Sequence, residues 1–169
     1  MQRNNKKLSW EEYYLNIAKQ VCKKSTCLRN RFGAVIVRDN QIISTGYCGA
    51  PRKTKDCYEH GFCLREKENI PSGQRYELCR SVHAEMNCII NAARAGVSLF
   101  QGDIYIYGET ASKNETKNTY PCFICKKMII NAGLSKVVCS TPDGIKIYDV
   151  SDWIKEWQEK DIIDGEQYS

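Results

Sequence analysis

The residues that could do chemistry stand in two short strings, His83-Ala84-Glu85 and Pro121-Cys122-Phe123-Ile124-Cys125. An imidazole and two thiolates supply three of the four ligands of a tetrahedral zinc. The fourth position stays open for water, as a catalytic site requires. Cys122 and Cys125 are three residues apart, so in the first turn of a helix both sulfurs can face one point. The positive end of that helix favours thiolates over thiols. Zinc lowers the pKa of a water in the open position to about 7, which makes hydroxide available at neutral pH. Glu85 lies two residues beyond His83. With His83 on the metal, Glu85 reaches that water without being a ligand and can take and return its proton. Neither string is diagnostic alone. A C-x-x-C also builds structural zinc knuckles and redox pairs, and an H-x-E usually marks a helix surface. The two together, each opening a helix and separated by a strand, carry the reading.

The elements that must hold these residues follow from periodicity and punctuation. Ser9-Trp10-Glu11-Glu12 fits a capping box at the start of a helix that runs to about Lys24, with Trp10, Tyr13, Tyr14, Ile17 and Val21 as its core-facing stripe. Arg31 to Cys48 reads as a hairpin turning at Asp39-Asn40. Residues 50–80 read as a long ordered loop with a short helix near Leu64, and a loop of that length is usually functional or tied down. A helix is expected over His83–Ala95, closed by Gly96. A strand follows at Ile104–Tyr107, then a polar loop at 108–119, then a helix opened by Pro121 and closed by Gly133. Lys136–Ser140 is a further strand, and Ser151-Asp152 caps a last helix carrying Trp153, Ile154 and Trp157. Strands alternating with helices imply an α/β fold: a three-layer α/β/α sandwich around a mixed central sheet.

Composition sets the frame. The 169 residues suit one domain, with a basic arm at 1–8. Hydrophobic residues at 42% and charged residues at 27% describe an ordinary globular chain. A net charge of +5 favours an anionic partner without pointing to nucleic acid. No apolar run has the length of a membrane span, and no apolar stretch follows the basic N-terminus, so a cytoplasmic chain without membrane or nucleic-acid partners is expected. Ten cysteines in a reducing compartment then call for metal binding or burial. Cys122 and Cys125 belong to the site, and Cys22, Cys88 and Cys139 sit at apolar positions within regular elements. Cys48 lies in the turn after the hairpin. Cys27, Cys57, Cys63 and Cys79 flank or lie in the long loop and are candidates for a second, structural zinc, with His60 as an alternative ligand.

The pairing of H-x-E with P-C-x-x-C is the signature of the zinc-dependent deaminases. Beyond it, Ser9-Trp10-Glu11-Glu12-Tyr13, Lys24-Ser25-Thr26-Cys27-Leu28-Arg29, Gly33-Ala34-Val35-Ile36-Val37, Gly46-Tyr47-Cys48-Gly49-Ala50-Pro51, Cys79-Arg80-Ser81-Val82-His83-Ala84-Glu85 and Lys127-Met128-Ile129-Ile130-Asn131-Ala132-Gly133 resemble the deoxycytidylate deaminase family of the cytidine deaminase superfamily. The likeness spans roughly residues 9–160. It implies hydrolysis of dCMP to dUMP and ammonia, with a catalytic zinc on His83, Cys122 and Cys125 and proton transfer by Glu85. It implies a homo-oligomer, often a hexamer, and regulation by dCTP and dTTP, with Mg2+ accompanying the nucleotide effector. It also agrees with a second zinc, since some members carry one with Cys near the positions of Cys27 and Cys57.

Two departures stand out. Cys48 replaces the Asn that contacts the substrate sugar in the superfamily, and a thiol is a weak donor. The turn it occupies, with Gly46, Tyr47 and Gly49, is the one implicated in effector binding. The 108–119 stretch is also longer than usual and should border the pocket mouth. Arg29, Asn30 and Arg31, in the loop that borders substrate, are candidate substrate contacts together with Arg80, Cys48 and Ala84; an Arg fork suits phosphate oxygens. The alternatives are another nucleoside, nucleotide or tRNA base deaminase of the superfamily, which would want a broader basic face and stacking aromatics, and a non-catalytic zinc-stabilised binding module, which would have no use for Glu85.

Overall fold

A computed structural model describes residues 7–160. Residues 1–6 of the expected basic arm lie outside that range. The chain begins with helix α1 (Trp10–Cys22), whose cap is the expected box: the Ser9 hydroxyl accepts from the Glu12 amide at 3.1 Å, and the Glu12 carboxylate accepts from the Ser9 amide at 2.9 Å. Strands β1 (Asn30–Arg38) and β2 (Gln41–Tyr47) form the hairpin. Its turn residues Asp39 and Asn40 both have positive φ, the geometry of a tight two-residue hairpin turn. Short helices α2 (Cys57–His60) and α3 (Leu64–Lys67) and a 3-10 turn at Tyr76–Leu78 punctuate the long segment that follows. Then come α4 (Ala84–Ala95), β3 (Asp103–Thr110), α5 (Phe123–Asn131), β4 (Lys136–Thr141), β5 (Gly144–Asp149) and α6 (Val150–Glu159).

The sheet has the order β2-β1-β3-β4-β5 and is mixed, with β3 and β4 parallel and the other pairs antiparallel. Side chains alternate across it. Val35, Val37, Tyr105 and Tyr107 pack on one face against Tyr14, Leu15, Ala18 and Cys22 of α1. Ala34, Ile36, Ile104 and Ile106 pack on the other face against Ala84, Cys88 and Ala92 of α4, Ile129 of α5, and Val150 and Trp153 of α6. Both faces are covered, which is why the strands read as apolar runs rather than as alternation. This is the three-layer sandwich that the element order implied.

Two glycines set how closely the layers approach. A Cβ on Gly33 would lie 2.4 Å from the Ala18 carbonyl oxygen and the Cys22 amide nitrogen of α1. A Cβ on Gly46 would lie 2.3 Å from the Cys88 amide nitrogen and 2.5 Å from the Ala84 carbonyl oxygen of α4. Gly46, expected at an effector turn, is therefore where β2 admits the helix that carries the site.

The structure corrects several expected boundaries. The buried stripe of α1 is Tyr14, Leu15, Ala18 and Cys22, whereas Trp10 and Tyr13 are exposed. Trp10 stacks on Tyr14 and meets Tyr13 edge-on, outside the core. Backbone approach at Gly33 demands the small Ala18 and Cys22 beneath it, and that rotates the helix away from the face with the largest aromatics. Strand β5 was not expected. It is an edge strand with Ile145 and Ile147 exposed, so its apolar residues mark pairing to β4 rather than burial. With β5 running to Asp149, α6 starts at Val150, and Ser151 and Asp152 lie inside its first turn instead of capping it. Pro121 precedes the N-cap Cys122 and is not in the helix. The 108–119 stretch begins as strand: β3 runs to Thr110, and the chain folds back so that Thr116 bridges Glu109. No helix among the described residues is long and apolar enough to cross a membrane.

Candidate active site

His83 and Cys122 occupy equivalent places. Each is the N-cap of a helix, with φ of −66° and −65°, and neither side chain caps its own helix. A capping side chain normally bends back to the N3 amide. Here the imidazole and the sulfur turn outward instead, towards each other. Cys125 is the N3 residue of α5, and N-cap to N3 is the spacing at which side chain and first turn meet in a capping box. Both sulfurs consequently lie 3.4 Å from Nδ1 of His83. The ligand atoms of His83, Cys122 and Cys125 all fall within 4.8 Å of one another, and among the described residues they form the group of His, Cys, Asp or Glu that does so. One imidazole nitrogen and two sulfurs converging at the positive ends of two helices fit a zinc ion.

Electrostatics agrees. The Cys122 thiol is lowered to about 4, chiefly by hydrogen bonding from Cys125, with burial opposing and His83 assisting. Cys125 is pushed up, since Cys122 takes the shared proton's benefit and burial adds to the penalty. Burial pulls the His83 imidazole down, but its bond with Cys122 and the charge of Glu85 leave it raised. Glu85 is buried, lies outside the three-ligand group and lines the same cavity. Burial pushes its carboxyl up, opposed by the charge of His83. A carboxyl kept out of water and raised in this way is more readily protonated than a free one.

His83, Glu85 and Cys122 line a cavity of about 1110 Å³, and Cys125 lies just behind them. Of the sequence candidates, Arg29, Asn30 and Cys48 line it, and Arg31, Arg80, Ala84, Gly46, Tyr47 and Gly49 do not. Arg29 is ion-paired with Glu66 at 3.2 Å. Arg31 is paired at 2.8 Å with Glu109, which is buried behind the strand end, and it also meets Asn114. Arg80 stacks over Phe62. Ala84 is fully buried under α4. Gly49 exchanges two backbone hydrogen bonds with Val82, which ties the hairpin's end to the residues just before His83. Lys117, Asn118 and Thr119, from the long 108–119 stretch, reach the cavity wall.

Cys27, Cys48, Cys63 and Cys79 line the cavity as well, and Cys57 is buried at the start of α2. Among the described residues, no three of these sulfurs lie within 4.8 Å of one another. A hydrogen bond from Cys48 holds the Cys27 thiol down at about 6, and burial together with the charges of Cys27, Cys63 and Cys79 raises Cys57. Cys22, Cys88 and Cys139 are buried core residues.

Three residues of the site had no part in the sequence reading. Tyr76 meets the His83 ring edge-on at 4.9 Å. Arg65 is buried against Tyr76, with its guanidinium 4.9 Å from the ring centroid. Lys126 is buried with its ammonium 4.3 Å from the Tyr120 ring and 5.1 Å from Trp153, and burial lowers its pKa. A signal for Lys126 existed: it is four residues after Cys122 and shares its helix face. Arg65 stands in the run Arg65-Glu66-Lys67-Glu68, where nothing local separates it from a solvated charge.

Residues 8–141 match the family described as the cytidine and deoxycytidylate deaminase zinc-binding region. The deoxycytidylate deaminase of Schizosaccharomyces pombe is 33% identical over 133 residues, covering 79% of this chain but 37% of that protein. The chain therefore spans well under half the length of that relative. The deoxycytidylate deaminase of Mycobacterium phage D29 is 31% identical over 134 residues, covering 76% of this chain and 92% of the phage protein. Among solved structures, the dCMP deaminase of cyanophage S-TIM5 in complex with dCMP and dUMP superposes with a TM-score of 0.57 at 24% identity, covering 79% of this chain and 82% of that one, a likeness of fold.

Proposed function

The chain belongs to the cytidine and deoxycytidylate deaminase family, and from that premise we propose that it hydrolyses dCMP to dUMP and ammonia. The observation that carries this reading is the convergence of both cysteine sulfurs on His83 Nδ1 at 3.4 Å beside the buried, non-ligating Glu85. His83, Cys122 and Cys125 hold the zinc. When bound, zinc supplies Lewis-acid polarisation that makes a water nucleophilic near neutral pH. Glu85 takes a proton from the water attacking C4 of cytosine and delivers it to the ring nitrogen N3. It then transfers the remaining water proton to the departing amine, so one water is consumed and one ammonia leaves. Tyr76 packs against His83 and holds the ring that presents Nδ1. Asn30 and Cys48 line the cavity, and we take them as the sugar contacts, with Cys48 as a weak donor.

Ammonia release from dCMP, deoxycytidine, cytidine and dCTP tests the reading. We expect dCMP to be turned over far better than deoxycytidine, because charge-assisted contacts to phosphate are strong. Equal efficiency for the two would refute a monophosphate substrate. Turnover of an adenosine in tRNA and none of dCMP would favour the superfamily alternative.

The same reading extends to a second zinc among Cys27, Cys57, Cys63 and Cys79. It is supported by three of them, with Cys48, lining one cavity, and it requires their sulfurs to draw closer than they stand here, since no three of them lie within 4.8 Å of one another. It extends also to a homo-oligomer, with a hexamer as the expected size, and to dCTP activation and dTTP inhibition with Mg2+. Sedimentation of the full chain and dCMP kinetics with each triphosphate check these.

A further inference from the structure

The cavity wall that includes Tyr76 holds a buried cation without a counter-charge among the described residues. Arg65 is 8% exposed and lines the cavity. Its Nη2 donates to the Pro71 carbonyl oxygen at 2.8 Å, its guanidinium lies over Tyr76, and its Nε has no hydrogen-bond partner. A buried charge without a counter-charge is costly, and an anion in the cavity would offset that cost. The other guanidiniums on the wall are already engaged: Arg29 with Glu66 and Arg75 with Glu77. Arg31 and Arg80, which sequence reasoning put forward for phosphate, do not reach the cavity. Arg65 has no carboxylate within ion-pair distance among the described residues. Its position is also suitable. The Tyr76 ring touches both it and His83, with the guanidinium 4.9 Å from its centroid and the His83 ring centroid also 4.9 Å away. A base held at His83 and Glu85 thus leaves Arg65 one aromatic ring away, a separation suited to the far end of the same nucleotide.

We propose that Arg65 binds the 5′-phosphate of the nucleotide substrate and so sets the preference for monophosphate over nucleoside. The proposal rests on the deaminase reading of the site. A fork of N–H donors grips phosphate oxygens in pairs, which a lysine does not reproduce. The opposing account is a clasp, in which Arg65 only pins the 64–76 segment through Pro71 and Tyr76.

The test uses the zinc-loaded full chain and the variants Arg65→Gln and Arg65→Lys, with kcat and KM measured separately for dCMP and deoxycytidine and with inorganic phosphate as inhibitor. Arg65→Gln is expected to lower kcat/KM for dCMP about 10- to 100-fold, mostly through KM. Turnover of deoxycytidine should hold and inhibition by phosphate should vanish, while Arg65→Lys recovers part of the loss. Equal losses on both substrates in either variant would establish the clasp and overturn the proposal, as would an undiminished preference for dCMP. If Arg65→Gln does not fold, Arg65→Lys carries the comparison, since it keeps the charge and loses the fork. Wild-type protein that turns over neither substrate breaks the deaminase reading instead. Calorimetry with inorganic phosphate then decides on Arg65 alone: binding lost in the variant supports it, and equal binding overturns it.

Discussion

The two walls of the cavity are built by different means. The metal-facing wall comes from the N-termini of α4 and α5, whose inner faces are part of the main core. Its functional atoms are fixed by helix geometry: N-cap, N2 and N3 positions, with a glycine at β2 letting α4 down onto the sheet. The facing wall comes from the 51–80 segment, whose two helices are a single turn each. That segment contributes little to the apolar clusters, and its order rests on polar and ring contacts such as Arg65 to Pro71 and Tyr76. On the proposed reading, chemistry sits on rigid elements and recognition on a segment held by individual contacts. Loops carried on a rigid scaffold commonly vary in substrate choice while the scaffold keeps the reaction.

Substitutions on the two walls should therefore separate catalysis from recognition and order. The largest effect is expected on the rigid wall. Glu85→Gln should cost at least ~10²-fold in kcat, the scale of a general acid/base, while zinc content stays that of wild type. Near-normal turnover, or loss of the metal, would contradict the assignment of Glu85 as a proton carrier outside the ligand set. Next is Gly46→Ala. A Cβ there meets α4 backbone at 2.3 Å, so the helix must shift; overpacking of this kind costs about 1–3 kcal/mol. We expect a lower melting temperature and a fall in kcat with little change in KM, because α4 carries His83 and Glu85. A fall confined to KM would place the contact with recognition instead.

In the 51–80 segment, Cys57→Ser is expected to remove one zinc of two per chain while leaving the catalytic zinc in place. Metal analysis of active, unchelated protein reads this out, and one zinc per chain in fully active wild type rules the second site out. The smallest effect belongs to Arg29→Gln. Its partner Glu66 is exposed, and such surface pairs are worth about 0–1 kcal/mol, so stability and dCMP kinetics should change little. A large rise in KM for dCMP would return the phosphate contact to the Arg29 loop and weaken the case for Arg65.

Legibility follows the same division. His83, Glu85, Cys122 and Cys125 could be read because their relations are local: two residues apart, three residues apart, each at a helix start. The strands around them could be read because a sheet covered on both faces leaves continuous apolar runs. The roles of Arg29, Arg31, Arg65 and Arg80 could not be read, because an arginine's task depends on its partner. Arg31 finds Glu109 across 78 positions of sequence, as Arg29 finds Glu66 on the facing segment. Part of the α1 face was misread for a related reason: Tyr14 is in the core and Ile17 and Val21 pack against it, but Trp10 and Tyr13 are exposed while Ala18 and Cys22 sit where the backbone of Gly33 comes close. Sequence by itself determined the layered α/β order and which His and Cys residues converge, because short-range spacing and side-chain period fix them. Only the tertiary structure decided which cations are engaged, which one keeps a free donor beside His83, and how near each helix lies to the sheet. Those are properties of pairs distant in the chain, and sequence spacing does not encode the distance between them.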